Sequence, residues 1–213
     1  MKINNYLTIK KEGSTTSSIK KSEFICTIAR TQNEEEAQEF ITAIKKKHAK
    51  AKHNCFAYTL GLHDEIQRES DNGEPSGTAG MPILEVLKNN KLHNVTAVVT
   101  RYFGGIKLGT GGLIRAYSNA TSNTINNIGI TKCIMQQELT LSLPYNLQGK
   151  LLNFITKQEI DVLTTSYTAD VSITLIVDIS RIDNVMSQIT DLLNARVDFV
   201  IGPAYYRDFD YIK

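Results

Sequence analysis

From Ser22 to Ala29 apolar and polar residues alternate, which puts Phe24, Cys26 and Ile28 on one face of a strand. The period then lengthens. Ala37, Phe40, Ile41 and Ile44 keep the spacing of one helical face, and Asn33 stands where an N-cap belongs. Asn54 to Leu60 reads as a second strand. Arg68 to Gly80 reads as loop, and Pro82 then occupies an early helical turn ahead of Ile83, Leu84, Val86 and Leu87. Residues 95–101 predict a third strand, with Val95, Ala97, Val98 and Val99, and residues 113–128 predict a helix. That helix carries Ile114, Tyr117, Thr121, Ile125 and Ile128 on one side.

From about Cys133 the pattern changes. Leu139, Leu141 and Leu143 alternate as a strand, and Leu147, Leu151, Phe154 and Ile155 follow at helical spacing. Val162–Tyr167 and Val171–Asp178 predict a hairpin. Ser180-Arg-Ile-Asp183 resembles a capping box with Asp in place of Glu or Gln, ahead of Ile182, Val185, Met186, Ile189 and Leu193. Val197, Phe199 and Ile201 make a last strand. The order β-α-β-β-α-β is that of a ferredoxin-like sandwich. The expectation is an α+β chain of two domains, residues 1–132 and 133–213.

Between the third strand and the following helix, five of the thirteen glycines fall within nine residues: Gly104, Gly105, Gly109, Gly111 and Gly112. Each costs backbone entropy on folding, so such a loop is favoured where the backbone needs positive φ or lies against something else. Ahead of a helix N-terminus its N–H groups can form a concave anion site. A tight connection packed on neighbouring backbone explains the same residues, and the pattern alone leaves both readings open.

Composition narrows the function classes. No apolar run reaches the ~18 residues of a membrane span, and the N-terminus has no apolar core of signal-peptide length, so a cytoplasmic protein is expected. Cys26, Cys55 and Cys133 are too far apart for a Cys-x-x-Cys pair and fit reduced core thiols. The net charge of +2 hides an asymmetry. Residues 1–132 hold 18 Lys and Arg against 12 Asp and Glu, whereas residues 133–213 hold 6 against 10. A basic first part suggests an anionic partner. The runs Glu34, Glu35, Glu36 and Lys45, Lys46, Lys47, His48 suit the helix macrodipole as they stand, and the lysines equally suit an anion.

The chemical motifs exclude more than they name. The glycine loop lacks the Gly-Lys-[Ser/Thr] of a Walker A motif and the Gly-x-Gly-x-x-Gly fingerprint. Ser76, in Gly73-Glu-Pro-Ser-Gly77, is not a nucleophile elbow. His48, His53, His63 and His93 show no zinc spacing, so neither a metal nor a redox cofactor is expected. What remains is a loop cluster. Lys52 and His53 open a strand, Asp71, Glu74, Ser76 and Thr78 supply carboxylates and hydroxyls, and Arg101, Lys107 and Arg115 supply cations. Asp71, Ser76 and Thr78 equally suit backbone satisfaction in turns, and Arg115 could pair with Asp71 or Glu74. No residue is assigned a catalytic role.

Two stretches carry a family resemblance: Arg68-Glu-Ser-Asp-Asn-Gly-Glu-Pro-Ser-Gly-Thr-Ala-Gly80 and Val98-Val-Thr-Arg-Tyr-Phe-Gly-Gly-Ile-Lys-Leu-Gly-Thr-Gly-Gly-Leu-Ile-Arg-Ala-Tyr117. Both strongly resemble the signature of the IMPACT/YigZ family, as does Lys52-His-Asn-Cys55. The resemblance covers roughly residues 15–128, and the rest is similar to the second domain of bacterial members. It implies a first domain similar to a ribosomal-protein domain and to domain IV of elongation factor G, and a second similar to that factor's domain V. It also implies a non-enzymatic role linked to translation, through RNA, the ribosome or a translation-associated protein. Two alternatives stand beside it: an enzyme acting on a phosphorylated or nucleotide-like ligand at the glycine-rich loops, and a protein-interaction module without ligand. RNA binding predicts a contiguous basic face. An enzyme predicts a closed pocket reached by His53 or Asp71, and an interaction module predicts an exposed apolar patch.

Overall fold

A computed structural model describes residues 5–211. It divides into two compact units. One comprises Tyr6–Lys132 with residues 208–211, the other Asn5 with Cys133–Arg207. The junction falls inside a strand, and the last strand returns the chain to the first unit. There Arg30 Nη2 meets Asp208 Oδ2 at 2.6 Å and Lys10 Nζ meets Asp210 Oδ1 at 2.7 Å.

In the first unit, β1 (Tyr6–Ile9), β2 (Gly13–Ile19) and β3 (Ser22–Arg30) precede α1 (Glu34–Lys47). Then come β4 (His53–Leu60), β5 (Ile66–Ser70), α2 (Gly80–Asn89), β6 (Val95–Tyr102) and α3 (Thr110–Ile128). The sheet order is β2-β3-β6-β4-β5, and each of these pairings is antiparallel. Cys26 pairs with Val99 and Val99 with Cys55; Ile28 pairs with Ala97 and Ala97 with Ala57. These inward rows pack with Ile83, Leu87, Leu113, Tyr117 and Ile125 of α2 and α3 in one core. On the opposite face Ala37, Ile41 and Ile44 of α1 pack on Tyr58, Leu60 and Val98. Asn33 caps α1 as its position predicts: its side chain accepts from Glu36 N at 2.9 Å, while Glu36 Oε2 accepts from Gln32 N at 2.8 Å.

In the second unit, β7 (Ile130–Leu143), α4 (Gln148–Lys157), β8 (Asp161–Tyr167), β9 (Val171–Asp178), α5 (Ile182–Leu192) and β10 (Asp198–Asp210) give the order β-α-β-β-α-β. β7 pairs with β10 on one side and antiparallel with β9 on the other, and β8 lies beyond β9. Leu139, Leu141, Ile173 and Leu175 face Leu151, Ile155, Val185 and Ile189 in a separate core.

The structure corrects four local expectations. Residues 66–70, partly read as loop, form edge strand β5. The helix read from residue 113 begins at Thr110, so Gly111 and Gly112 belong to its first turn and not to the loop. Ile114, read on its inner side, is 38% exposed. The capping device near residue 180 is Asp178, which accepts from Ser180 N at 2.8 Å and starts a 3₁₀ turn; no side chain caps α5 itself.

Candidate nucleic-acid interface

The strand registers gather the singled-out residues at one end of the first sheet. Ser22 pairs with Ile19, Glu23 with Tyr102, His53 with Arg101, and Phe56 with Ser70. The β2–β3 turn, the start of β4, the end of β5 and the end of β6 therefore share that end, together with the N-termini of α2 and α3. The C-terminus of α1 joins them, because His48 Nδ1 lies 3.1 Å from the Tyr102 hydroxyl.

The 71–80 loop is built around Asp71. Its carboxylate accepts from Gly77 N at 2.7 Å and from Ala79 N and Gly80 N at 2.9 Å, so the negative charge sits at the start of α2. Asn72 Oδ1 accepts from Asn54 N at 2.8 Å, and its carbonyl lies 3.0 Å from His53 Nδ1. Thr78 Oγ1 donates to the Pro75 carbonyl at 2.6 Å, and Ser76 is exposed. Asp71, His53 and Thr78 thus make backbone contacts, which is the turn-satisfying use of such residues. Cys55 Sγ–H donates to the Asp71 carbonyl at 2.9 Å, and burial pushes this thiol up to about 12.

Glu74 has a different role. Its Oε1 accepts from Arg101 Nη1 at 2.7 Å and from the Tyr117 hydroxyl at 2.9 Å. Arg101 continues the inward row Val95, Ala97, Val99, and its guanidinium carbon lies over the Phe24 ring at 5.4 Å and over the Phe103 ring at 5.3 Å. Its Nε is buried without a hydrogen-bond partner. The partner of Glu74 is therefore Arg101 and not Arg115. Burial raises the Tyr117 phenol well above its ordinary value, and the adjoining Cys55 and Glu74 act in the same direction.

The glycines divide by cause. A Cβ on Gly104 would lie 1.9 Å from the Lys21 carbonyl, so this residue is a close-packing device, and its N–H donates to Ser22 Oγ at 3.2 Å. Gly105 and Gly109 have φ of 83° and 71° with open space around them. Gly109 is the N-cap of α3, where no side chain caps the helix and the first turn holds no acidic residue.

Two clefts flank this N-terminus. One of 350 Å³ is lined by Glu74, Arg101, Phe103, Lys107, Thr110 and Leu113, among others. The other, of 250 Å³, is lined by Lys20, Leu108, Gly112 and Arg115, among others. Lys52, Lys107 and Arg115 are exposed, whereas Arg101 is buried. Sequence reasoning did not single out Lys20, Lys21, Phe103 or Thr110. Lys20 and Lys21, both at positive φ, form the two-residue turn between β2 and β3. The available signal was a Lys-Lys step flanked by Ile19 and Ser22. Among the described residues, no group of three or more His, Cys, Asp or Glu could hold a metal ion, and no helix is long and apolar enough to cross a membrane.

Residues 20–125 match the Impact N-terminal domain, and residues 141–196 match a domain of unknown function, DUF1949. The IMPACT family member YvyE of Bacillus subtilis (strain 168) is 42% identical over 204 residues, covering 96% of this chain and 94% of the relative. The chain belongs to the IMPACT family. The family member YigZ of Escherichia coli (strain K12) is 32% identical, with 81% of this chain and 86% of the relative covered. A crystal structure of a hypothetical protein is similar with a TM-score of 0.61 at 28% identity, covering 93% of this chain and 97% of that one. The family match includes both the Asp71 loop and the segment from Arg101 to Arg115, the two parts that meet through Glu74 and Arg101.

Proposed function

We propose that this IMPACT-family chain is a non-enzymatic cytoplasmic protein linked to translation or its regulation, and that it binds RNA with the basic end of its first unit. The observation that carries the reading is the convergence of exposed cations at that end: Lys20, Lys21, Lys46, Lys47, Lys50 and Lys52, with Lys107 and Arg115 beside the start of α3. The exposed carboxylates near them are Glu23 and Glu69. The opposite end mixes Glu34, Glu35, Glu36, Asp64 and Glu65 with Arg30, Lys88 and Lys91. A surface at one end on which cations outnumber carboxylates attracts a polyanion and neutralises its phosphates. The kinship with elongation factor G domains IV and V that the family resemblance implies agrees with this reading, as an argument from fold alone. The enzyme alternative draws little support, because His53 and the Asp71 carboxylate are engaged with backbone groups.

Fluorescence anisotropy with a labelled single-stranded RNA, over a salt series, tests the proposal. The wild type should bind with log affinity falling linearly against log salt. Lys52→Ala should make that slope shallower by about 0.7 if it removes one phosphate contact. Affinity independent of salt, or unchanged in a Lys52→Glu, Arg115→Glu double variant, would reject it.

A further inference from the structure

We infer that the 350 Å³ cleft at the start of α3 seats one terminal phosphate monoester of a nucleotide, with the attached nucleoside lying against Phe103. The inference rests on the RNA-binding reading and gives it a specific anchor. Three independent features meet in the cleft. The first is the α3 N-terminus, 19 residues of helix whose leading N–H groups have neither a side-chain cap nor an acidic neighbour in the first turn. The second is Arg101, which lines the cleft, is only 5% exposed, and keeps its Nε–H without a partner although Nη1 is bound to Glu74 and Nη2 to the Ser22 hydroxyl. A buried donor left unpaired carries a penalty that a ligand oxygen would remove. The third is Lys107, an exposed cation on the cleft wall.

Charge and shape restrict the ligand class. Glu74 lies in the cleft, but Arg101 offsets its charge and the Tyr117 hydroxyl also binds it, so Lys107 and the helix N-terminus set the sign of the site. Phe103 is 53% exposed while Phe24, the other ring against the guanidinium, is fully buried. Phe103 is therefore the ring with room to move away from the guanidinium, and it offers a stacking surface for a base. Leu108 and Leu113 add apolar walls that suit a nucleoside better than a bare inorganic ion. A free nucleoside monophosphate and the 5′-phosphorylated end of an RNA present the same chemistry.

Isothermal titration with three probes separates these sources: a 5′-phosphorylated RNA oligonucleotide, the same sequence with a 5′-hydroxyl, and adenosine 5′-monophosphate. The phosphorylated oligonucleotide should bind about tenfold more tightly than the hydroxyl form, the scale of one charge-assisted hydrogen bond. Lys107→Ala and Phe103→Ala alter exposed side chains and should narrow that ratio. Lys52→Ala, away from the cleft, should weaken both oligonucleotides equally. Equal binding of both oligonucleotides, with no binding of the monophosphate, would overturn the cleft while leaving RNA binding intact. Binding of the monophosphate alone, sensitive to Lys107→Ala, would support the cleft and reject the RNA reading. No binding by any probe would overturn both.

Discussion

Arg101 and Glu74 form an ion pair at 2.7 Å in which both side chains are almost wholly withdrawn from water, at 6% and 4% exposure. They are 27 residues apart, one at the end of a strand and the other in the loop that Asp71 organises. The pair therefore couples the two loops that line the cleft. Removing one member leaves the other charge buried and uncompensated.

That asymmetry sets the first expected outcome. Glu74→Gln should destabilise the first unit by about 3–5 kcal/mol in urea denaturation, and Arg101→Met by a similar amount. The double variant should cost clearly less than the two single losses together, because no lone charge remains and the amide still accepts from Tyr117. Strict additivity would mean that the pair is not coupled in solution.

The glycines make a second test, in which two neighbours differ in the reason they are glycine. Gly105→Ala imposes a left-handed backbone on a residue with open space around it, at roughly 1–2 kcal/mol. Gly104→Ala drives a Cβ to 1.9 Å from the Lys21 carbonyl, so backbone has to move. Gly104→Ala should therefore lower the melting temperature more than Gly105→Ala. The reverse order would assign the loop's rigidity to its dihedral angles and not to the contact with the β2–β3 turn.

The buried thiols predict the alkaline limit. A thiol with an ordinary value of 9.0 is pushed up to about 11 at Cys26 and about 12 at Cys55, chiefly by burial. Above pH 9 the unfolded chain releases these protons while the folded chain retains them, so the unfolded state binds fewer protons and stability falls as pH rises. The stabilisation is complete below the unfolded value and is lost as pH rises through the folded ones. Thermal melts should be flat in this contribution at neutral pH and decline above pH 9. Cys26→Ser and Cys55→Ser together should flatten the decline.

Much of the fold was legible because burial imposes a period. Phe24, Cys26 and Ile28 alternate because β3 lies under two helices, and Ala37, Ile41 and Ile44 repeat because α1 covers the other face. β2, whose sequence is Gly-Ser-Thr-Thr-Ser-Ser-Ile, was not legible: an edge strand with no fully buried row needs no apolar alternation. β5 is the opposite edge and was half lost to the loop for the same reason. At the candidate site, residue types pointed to loops that the structure brings together at one end of the sheet, but not to their partners. Nothing local in Arg101-Tyr-Phe marks its arginine as buried, since it extends an inward row whose earlier members are Val95, Ala97 and Val99. Its carboxylate comes from a segment that only the tertiary fold brings near. Arg115 looked equally able to bind Glu74 and instead faces solvent beside the second cleft.

The separateness of the two units yields the last prediction. The second core draws every buried member from residues 139–193, chiefly from one face each of α4 and α5 and from the inward rows of β7 and β9. The first core draws its members from residues 9–128. A unit with its own core can fold alone, so residues 133–207, expressed without the rest, should unfold in one cooperative thermal transition. Residues 208–210 are different, because the carboxylates of Asp208 and Asp210 bind Arg30 and Lys10 of the first unit. Ending the full chain at Arg207 should therefore leave the transition of the second unit in place and lower that of the first by only a few degrees, as exposed ion pairs contribute little. Differential scanning calorimetry of the fragment, the truncated chain and the whole protein distinguishes the cases. A fragment without a transition would make the second unit dependent on the first, and the strands that cross the junction, β7 and β10, would then be the elements through which that dependence acts.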